Sequence, residues 1–548
     1  MSATSVISPP GFLTKERTIA GAGFNRWLVP PAALAIHLCI GMAYGFSVFW
    51  LPLSKAIGIT SSVACPKDMG VIDQILTTTC DWKISMLGWT YTLFFVVLGS
   101  AAALWGGWLE RVGPRKAGMV AAVCWCGGLV IAAGGVLMHQ IWIIWLGSGV
   151  IGGIGLGLGY ISPVSTLVKW FPDRRGMATG MAIMGFGGGA MIGAPLADRL
   201  MKLFATPTDV GVWQTFLVLA AIYFVFMTGG ALGYRVPPAD WKPAGWTPPR
   251  KRVLVSEGQV HMNVALATPQ FWLVWGVLML NVTAGIGILG MATPLLQEVF
   301  GGRLIGVKAS FDQLSPDQLK QIATIAAGFT GLLSLFNIAG RIFWASLSDK
   351  IGRQATYMVF FLIGLTLYAS IPWTASQGNL ALFVAFFCVN LSMYGGGFAT
   401  VPAYLADLFG EKMVGAIHGR LLTAWSTAGI LGPVLVNYIR EYQLDHGVAK
   451  AQAYSVTMYI LAGLLAIGFI CNLLIRPVPA SKYMTAAQIA ELDRTSASKA
   501  ASVAVTATGS AMAVPAWMVA AAWIPILVPL AWGIWITLQK AAAIFSQG

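Results

Sequence analysis

Thirteen long apolar runs, separated by short polar segments, constrain this sequence more than any other feature. An apolar run of about 20 residues crosses a bilayer as an α-helix, because a helix satisfies its own backbone hydrogen bonds in lipid. The sequence therefore predicts an all-α polytopic membrane protein. The predicted helices are residues 27–53, 84–108, 117–138, 141–167, 176–200, 213–235, 270–298, 321–346, 354–374, 378–406, 414–438, 453–475 and 514–538.

Composition agrees with a chain that folds in lipid. Charged residues make up 10% of the sequence, against about 25% in soluble domains. The net charge of +14 raises the question of nucleic-acid binding. Most Lys and Arg lie in short loops between apolar runs, however, where they set the orientation in the membrane. The lipid bilayer is therefore the expected partner, and nucleic acid is not.

Two polar segments divide the chain. The first is Pro-rich and basic and separates two groups of six predicted helices, whereas the second is rich in Ala, Ser and Thr. The sequence of the last helix does not indicate its function. The predicted organisation is a cytoplasmic tail at 1–26, a six-helix bundle at 27–235, a cytoplasmic linker at 236–269, a second six-helix bundle at 270–476, a flexible linker at 477–513 and an additional transmembrane helix at 514–548.

The loop charges also predict the orientation. Lys and Arg are more frequent on the side of the amino terminus, which places that terminus in the cytoplasm and the protein in the bacterial inner membrane. Two longer loops, 55–83 and 300–320, then lie outside. The first contains Cys65 and Cys80, for which a disulfide and two free thiols are about equally plausible in an oxidising compartment. In the second, Ser315 is an N-cap signal for the eighth helix.

A short motif occurs twice, after the second predicted helix and after the eighth. An internal repeat of this kind is typical of transporters built from two related bundles. Its carboxylate can bond a helix start or an Arg across the same face, and that bond can break as the halves rock. A single copy would equally suit a turn that carries inside-positive charge. The gating motif comprises Gly106, Glu110, Arg111, Gly113 and Arg115 in the first half, and Asp349, Lys350, Gly352 and Arg353 in the second.

The repeated motif resembles the signature of the major facilitator superfamily. The segments 169–176, 405–410 and 415–420 resemble loops of the oxalate/formate antiporter family and of related monocarboxylate porters. The resemblance covers residues 27–476. It implies two six-helix bundles and a secondary active transporter of small carboxylate anions that works by alternating access.

Arg341 is the predicted ligand of the anion. Ionisable residues within a membrane span are costly and mark functional sites. Asn337 to Arg341 resembles a family segment in which an Arg binds the substrate carboxylate, and Arg suits this function because it stays charged and holds both oxygens. The alternative is a structural Arg paired with Asp349 or with backbone carbonyls.

Trp425 changes the expected substrate. Oxalate transporters of the family carry a Lys in the eleventh helix as a second cation, and the matching position here is Trp425. Arg420, five residues earlier, is interpreted as an anchor. Each unpaired buried charge costs several kcal/mol, so a site with one cation suits a monocarboxylate such as formate, lactate or pyruvate. Oxalate:formate exchange is the alternative function.

Aromatic residues complete the predicted site. Tyr44, Tyr160, Tyr394 and Phe398 resemble family positions that enclose the substrate. A Tyr hydroxyl can donate to a carboxylate while its ring excludes water. For any one of the four residues, core packing is nearly as plausible.

The sequence leaves two candidates for the coupled ion, a proton and a counter-anion. Asn337 stands where eukaryotic monocarboxylate carriers have a proton-carrying Asp, and an amide cannot titrate. His37, seven residues before Tyr44 and on the same helix face, is the other candidate near the path. A lone His in a helix is more often a packing contact.

Other classes of membrane protein find little support in the sequence. The five His residues are dispersed, and neither a metal-ligand cluster nor a nucleophile with its base is evident, so no enzyme, metal or cofactor is expected. A membrane sensor would need a soluble signalling domain. An anion channel of the same fold is a distant alternative.

Overall fold

The computed structural model describes residues 11–21, 23–59, 62–66, 68–238, 241–246, 254–497 and 514–545. Within these ranges the chain is largely helical, and the predicted all-α membrane fold is confirmed. Twelve of the described helices are long and apolar enough to cross a membrane, and one further helix, of 36 residues, stands eighth among the long helices.

The long helices form two halves of six and one additional helix. The first-half helices are α1 Arg26–Leu53, α2 Ile84–Val112, α3 Pro114–Leu137, α4 Ile141–Trp170, α5 Arg175–Phe204 and α6 Val212–Gly233. The second-half helices are α7 Pro269–Phe300, α8 Pro316–Ile351, α9 Arg353–Ser376, α10 Leu380–Phe409, α11 Val414–Asp445 and α12 Ser455–Leu474. The additional helix is α13 Ala516–Phe545.

The two repeated motifs lie at the same end of the bundle, which we call the motif end. Gly113 and Gly352 have φ angles of +88° and +92° there. Gly adopts this left-handed conformation without strain, so each Gly turns the chain sharply from one long helix into the next. The opposite end is called the disulfide end, because Cys65 and Cys80 are joined there.

The disulfide closes the loop that precedes α2. The Cα atoms of Cys65 and Cys80 are 5.0 Å apart, and the Asp81 carboxylate accepts a hydrogen bond of 2.8 Å from the backbone N–H of Val63. Burial lowers the pKa of His139, whose neutral ring donates to the Cys80 carbonyl at 2.9 Å. The loop is therefore a folded cap on the first half.

The segment 477–513, predicted to be a flexible linker, is in part helical. Thr485 and Gln488 form a reciprocal cap in which each side chain accepts from the backbone N–H of the other. Because this cap satisfies the first orphan N–H groups of a helix, the chain forms the helix Ala486–Ala497. Residues 498–513 lie outside the described residues.

Helices α1 and α5 cross at a very short distance. A Cβ atom on Gly45 would lie 3.2 Å from the side chain of Ala190, so a larger residue would push the helices apart. At this crossing α1 narrows into the 3₁₀ segment Gly41–Phe49. The crossing directs Tyr44 to Phe186, with 4.9 Å between the ring centroids.

Candidate substrate site

Arg341 reaches from α8 across the seam between the two halves. It is fully buried, and its Nη1 donates to the carbonyl oxygen of Ile183 in α5 at 2.9 Å. Its Nε donates to Oδ1 of Asn337 at 3.0 Å, and its guanidinium carbon lies 5.5 Å from the ring centroid of Phe398. A backbone carbonyl thus binds Arg341, as expected for a structural Arg, but it binds only Nη1.

Trp425 stands at the centre of an aromatic cage to which both halves contribute. Its side chain is fully buried. The surrounding rings come from α1, α2, α4 and α5 of the first half and from α10 of the second. The ring centroids lie 4.6 Å away for Phe398, 5.2 Å for Tyr160 and Phe186, 5.3 Å for Phe95 and 6.2 Å for Tyr44. The shape of this cage therefore depends on how the halves sit against each other.

Two tyrosines join the halves directly beside the cage. The hydroxyl oxygens of Tyr44 in α1 and Tyr394 in α10 are 3.0 Å apart, and either group can donate. Tyr394 also contacts Phe398, with 5.3 Å between the ring centroids. Every residue predicted to bind substrate therefore lies in the cage or against it.

Several buried polar groups of the cage lack a hydrogen-bond partner among the residues that the structure describes. They are Arg341 Nη2, Tyr160 Oη and Trp425 Nε1. Leaving a buried donor unsatisfied costs about 1–3 kcal/mol, so such groups in a folded protein call for an explanation. All three can donate, and an anion in the cage would accept their hydrogen bonds.

His37, the predicted coupling residue, lies behind the cage rather than inside it. Its Nδ1 is 2.5 Å from the carbonyl oxygen of Ala182, and its Nε2 is 3.2 Å from that of Tyr160. Both partners are acceptors, and a neutral imidazole has one N–H, so it can donate to only one of them. His37 thus acts on the site through the backbone and ring of Tyr160.

His418 is a site residue that the sequence reasoning missed. It is 1% exposed, and neither ring nitrogen bonds to any part of the chain that the structure describes. Its ring centroid is 5.9 Å from that of Tyr160. The available signal was spacing, because His418 precedes Trp425 by seven residues and so shares its helix face. Arg420, the neighbouring cation, donates instead to the carbonyl of Met262 at 2.7 Å.

The first motif copy reaches the second half through its carboxylate. Glu110 accepts from the backbone N–H of Gly415, at the start of α11, at 3.2 Å. It is also paired within its own half with Lys169 at 2.5 Å and with the Ser165 hydroxyl at 3.0 Å. A Cβ atom on Gly106 would lie 2.9 Å from Cα of Ala416, so this Gly lets α2 approach α11.

The second copy reaches the first half in the same way. Asp349 accepts from the backbone N–H groups of Gly176 and Met177, at the start of α5, at 2.9 and 3.0 Å. It is also paired with Arg353 at 2.6 Å. The carboxylate of one half thus caps a helix of the other half in both copies.

A charge network surrounds the second copy. Arg353 donates to Asp407 at 3.2 Å. Arg175 of the first half donates to Asp407 at 3.0 Å and also pairs with Glu411. Charges of both halves therefore close the motif end.

Three motif residues do not face the other half as a gating function would require. Arg111 and Lys350 are exposed at the surface. Arg115 is 3% exposed, and it donates to the carbonyls of Phe12 at 3.0 Å and Tyr234 at 3.4 Å. Arg115 therefore holds the amino-terminal tail at Phe12 and the end of α6 at Tyr234, and neither acceptor belongs to the motif.

A cavity of 680 Å³ connects the cage to the disulfide end. Tyr44 lines its inner limit, and Asp198 and Arg199, near the end of α5, line its outer part. Helices α1, α5, α8 and α13 contribute its walls. The charge network thus joins the halves at the motif end, and this cavity lies between the cage and the disulfide end.

Comparison with known proteins gives consistent relatives. The chain is 25% identical over 411 residues to the oxalate:formate antiporter of Oxalobacter formigenes, which covers 74% of this chain and 83% of that protein. It is 25% identical over 410 residues to apicoplast pyruvate carrier 1 of Toxoplasma gondii, which covers 65% and 69%. The fucose:proton symporter of E. coli has a similar fold, with a TM-score of 0.54, 12% identity and coverage of 83% of this chain and 100% of that one.

A family model described as Major Facilitator Superfamily matches residues 33–433. The match runs from α1 into α11 and includes both copies of the motif, and it agrees with the two-half architecture. The predicted family resemblance is confirmed, and the family consists of transporters rather than enzymes. The chain belongs to the major facilitator superfamily of membrane transporters.

Proposed function

We propose that this protein is a secondary active transporter of small carboxylate anions, with monocarboxylates such as formate, lactate or pyruvate as its main substrates. The observation that carries the proposal is the position of Arg341. It is fully buried at the seam between the halves, and its Nη2 has no hydrogen-bond partner in the described part of the chain. A carboxylate bound there would pair with the charge and would accept from Tyr160 and Trp425.

The charge balance of the cage favours a monoanion. Arg341 is the fixed cation there, and Trp425 provides a ring and one N–H donor in place of a second charge. A dianion would leave one negative charge without a fixed partner in a dry cage, which is costly. The two relatives named above are, by their names, carriers of carboxylates, and one of them carries pyruvate.

Oxalate:formate exchange is the second candidate function, and His418 is the observation that favours it. His418 is buried next to Tyr160, and its ring nitrogens bond to none of the described residues. In its protonated form it would supply the second positive charge that Trp425 does not. The coupled ion is either a proton or a counter-anion. If it is a proton, His37 and His418 are the candidate proton-binding groups.

We propose that the protein works by alternating access, and the difference between its two ends supports this. Interhalf bonds of Asp349, Glu110 and Arg175 close the motif end, while the cavity of 680 Å³ opens towards the disulfide end. The excess of Lys and Arg on the side of the amino terminus supports a cytoplasmic motif end in the inner membrane of a bacterial cell. The cavity would then face the outside of the inner membrane.

The test is counterflow in proteoliposomes. Vesicles preloaded with formate, lactate, pyruvate or oxalate should accumulate labelled substrate, and external substrate should accelerate efflux. Arg341→Gln should abolish this exchange, because it removes the charge and leaves the cage neutral. Arg111→Gln, at an exposed position, is the matched control and should exchange at the wild-type rate. Efflux that ignores external substrate would favour a channel and contradict the carrier function.

Trp425→Lys tests the substrate class. A second cation in the cage should raise the affinity for oxalate relative to formate, by about tenfold for a gain of about 1.4 kcal/mol. The measurement is competition of each anion against labelled formate. An unchanged ratio would contradict the charge argument. Varying the pH gradient and the internal anion separately identifies the coupled ion.

A further inference from the structure

Helix α13 lies along the seam between the two halves. It packs against α8 of the second half and against α5 and α1 of the first. Its Leu530 and Ile526 form one apolar cluster with Leu34 of α1, Met191 of α5 and Ile338 of α8. The helix is thus attached to both halves.

The contacts are close enough to exclude lipid from the seam. A Cβ atom on Gly533 would lie 3.2 Å from the carbonyl oxygen of Met191, and one on Gly331 would lie 3.0 Å from the side chain of Thr537. Towards the disulfide end, the Arg199 guanidinium carbon lies 5.1 Å from the ring centroid of Trp532. Both flanks of α13 are therefore sealed by packed side chains or backbone.

Two residues of α13 line the cavity that leads to the cage. Ile536 and Thr537 face the same 680 Å³ as Ser47 of α1 and Thr330 of α8. Thr537 is 7% exposed, whereas the next residue, Leu538, is rotated by about 100° around the helix and is 46% exposed. One face of the helix thus borders the cavity, and the other faces outwards.

We propose that α13 is a wall of the substrate path, and that Thr537 is one of the residues past which the anion moves. The remaining walls of the cavity belong to α1, α5 and α8, and α13 contributes the wall on its own side. Without α13, the polar lining residue Thr330 would lose this wall and would border hydrocarbon, which is unfavourable. The proposal rests on the transport function proposed above.

The first test measures access to the path without any substrate. Ser47→Cys, at an exposed position in the cavity, should react with a membrane-impermeant thiol reagent added from the disulfide end. Adding Thr537→Trp should abolish this labelling, because the indole fills the path, while Leu538→Trp should leave it unchanged. The wild-type chain gives the background from its own cysteines. Equal labelling in both double variants would overturn the proposal.

The second test uses counterflow. Thr537→Trp should lose exchange, and Leu538→Trp should keep it, with gel filtration in detergent checking that both are folded. If Thr537→Trp does not fold, Thr537→Cys replaces it and should be labelled from water, whereas Leu538→Cys should not. Wild-type protein that exchanges no carboxylate would refute the transport function alone, since the labelling result does not depend on it. Exchange that persists in folded Thr537→Trp would refute the wall.

Discussion

The two motif copies share a sequence pattern but not a bonding pattern. Glu110 receives one backbone hydrogen bond from the other half, at 3.2 Å from Gly415. Asp349 receives two, at 2.9 and 3.0 Å from Gly176 and Met177. Among the residues that the structure describes, only the second copy lies in a network of charges that crosses the seam. Both carboxylates therefore mark where the halves meet, and the strength of the bonding depends on Arg353 and on residues outside the motif.

The extra residues of the second copy explain the difference. Arg353, the first residue of α9, pairs with both Asp349 and Asp407. Arg175 of the first half also binds Asp407. In the first copy the position one turn after Glu110 is Pro114, and the cation comes from Lys169 of the same half. A cation from the same half balances the carboxylate but adds no attraction across the seam.

Asp349→Asn should have the largest effect of any change at the motif end. It removes the negative charge that two N–H groups and Arg353 share, and hydrogen bonds to a charged group contribute about 1.5–3 kcal/mol each. We expect counterflow to fall by about tenfold, because the state closed at this end becomes less populated. A rate within experimental error of wild type would show that the network does not control closure.

Arg175→Gln should have the next largest effect, because it cuts the link to Asp407 and to Glu411. Arg353 stays on Asp407, so part of the network survives, and a fall of about fivefold in counterflow is expected for partly exposed pairs. Arg174→Gln is the matched control, since that side chain is 62% exposed and 4.0 Å from Asp173. If both variants lose the same activity, the specific pairing across the seam is not the cause.

Glu110→Gln should have the smallest effect of the three. Its amide oxygen can still accept from Gly415, and the lost pair with Lys169 lies within one half, so about a twofold fall is expected. The same counterflow assay measures it. A fall as large as that of Asp349→Asn would mean that the two copies are equivalent and would contradict the asymmetry described above.

The sequence predicted the fold well because lipid leaves a chain few choices. Backbone groups in hydrocarbon must form hydrogen bonds within a helix, so each long apolar run forms a helix. The N-cap at Ser315 is likewise confirmed. The linker helix was missed because its signal, the pair Thr485 and Gln488, lies in a stretch of low hydrophobicity where composition suggested flexibility.

The site was predicted in part, and the omissions have different causes. Arg341 and Tyr44 are polar in apolar helices and can be recognised from the sequence. Phe95 and Phe186 are apolar residues among many others, and whether they face the cage depends on helix rotation, which packing such as the Gly45 crossing decides. Arg115 was assigned to gating because the amino-terminal tail that it holds is visible only in the fold.

The hydrogen bond between Tyr44 and Tyr394 has a kinetic consequence. It joins the halves between the cage and the cavity, and the same hydroxyls are within reach of an anion that enters from the disulfide end. An arriving carboxylate would accept hydrogen bonds from these hydroxyls and so break the bond between the two tyrosines. The halves would then move relative to each other faster with substrate bound than without it. A carrier whose loaded form reorients faster than its empty form favours exchange over net flux.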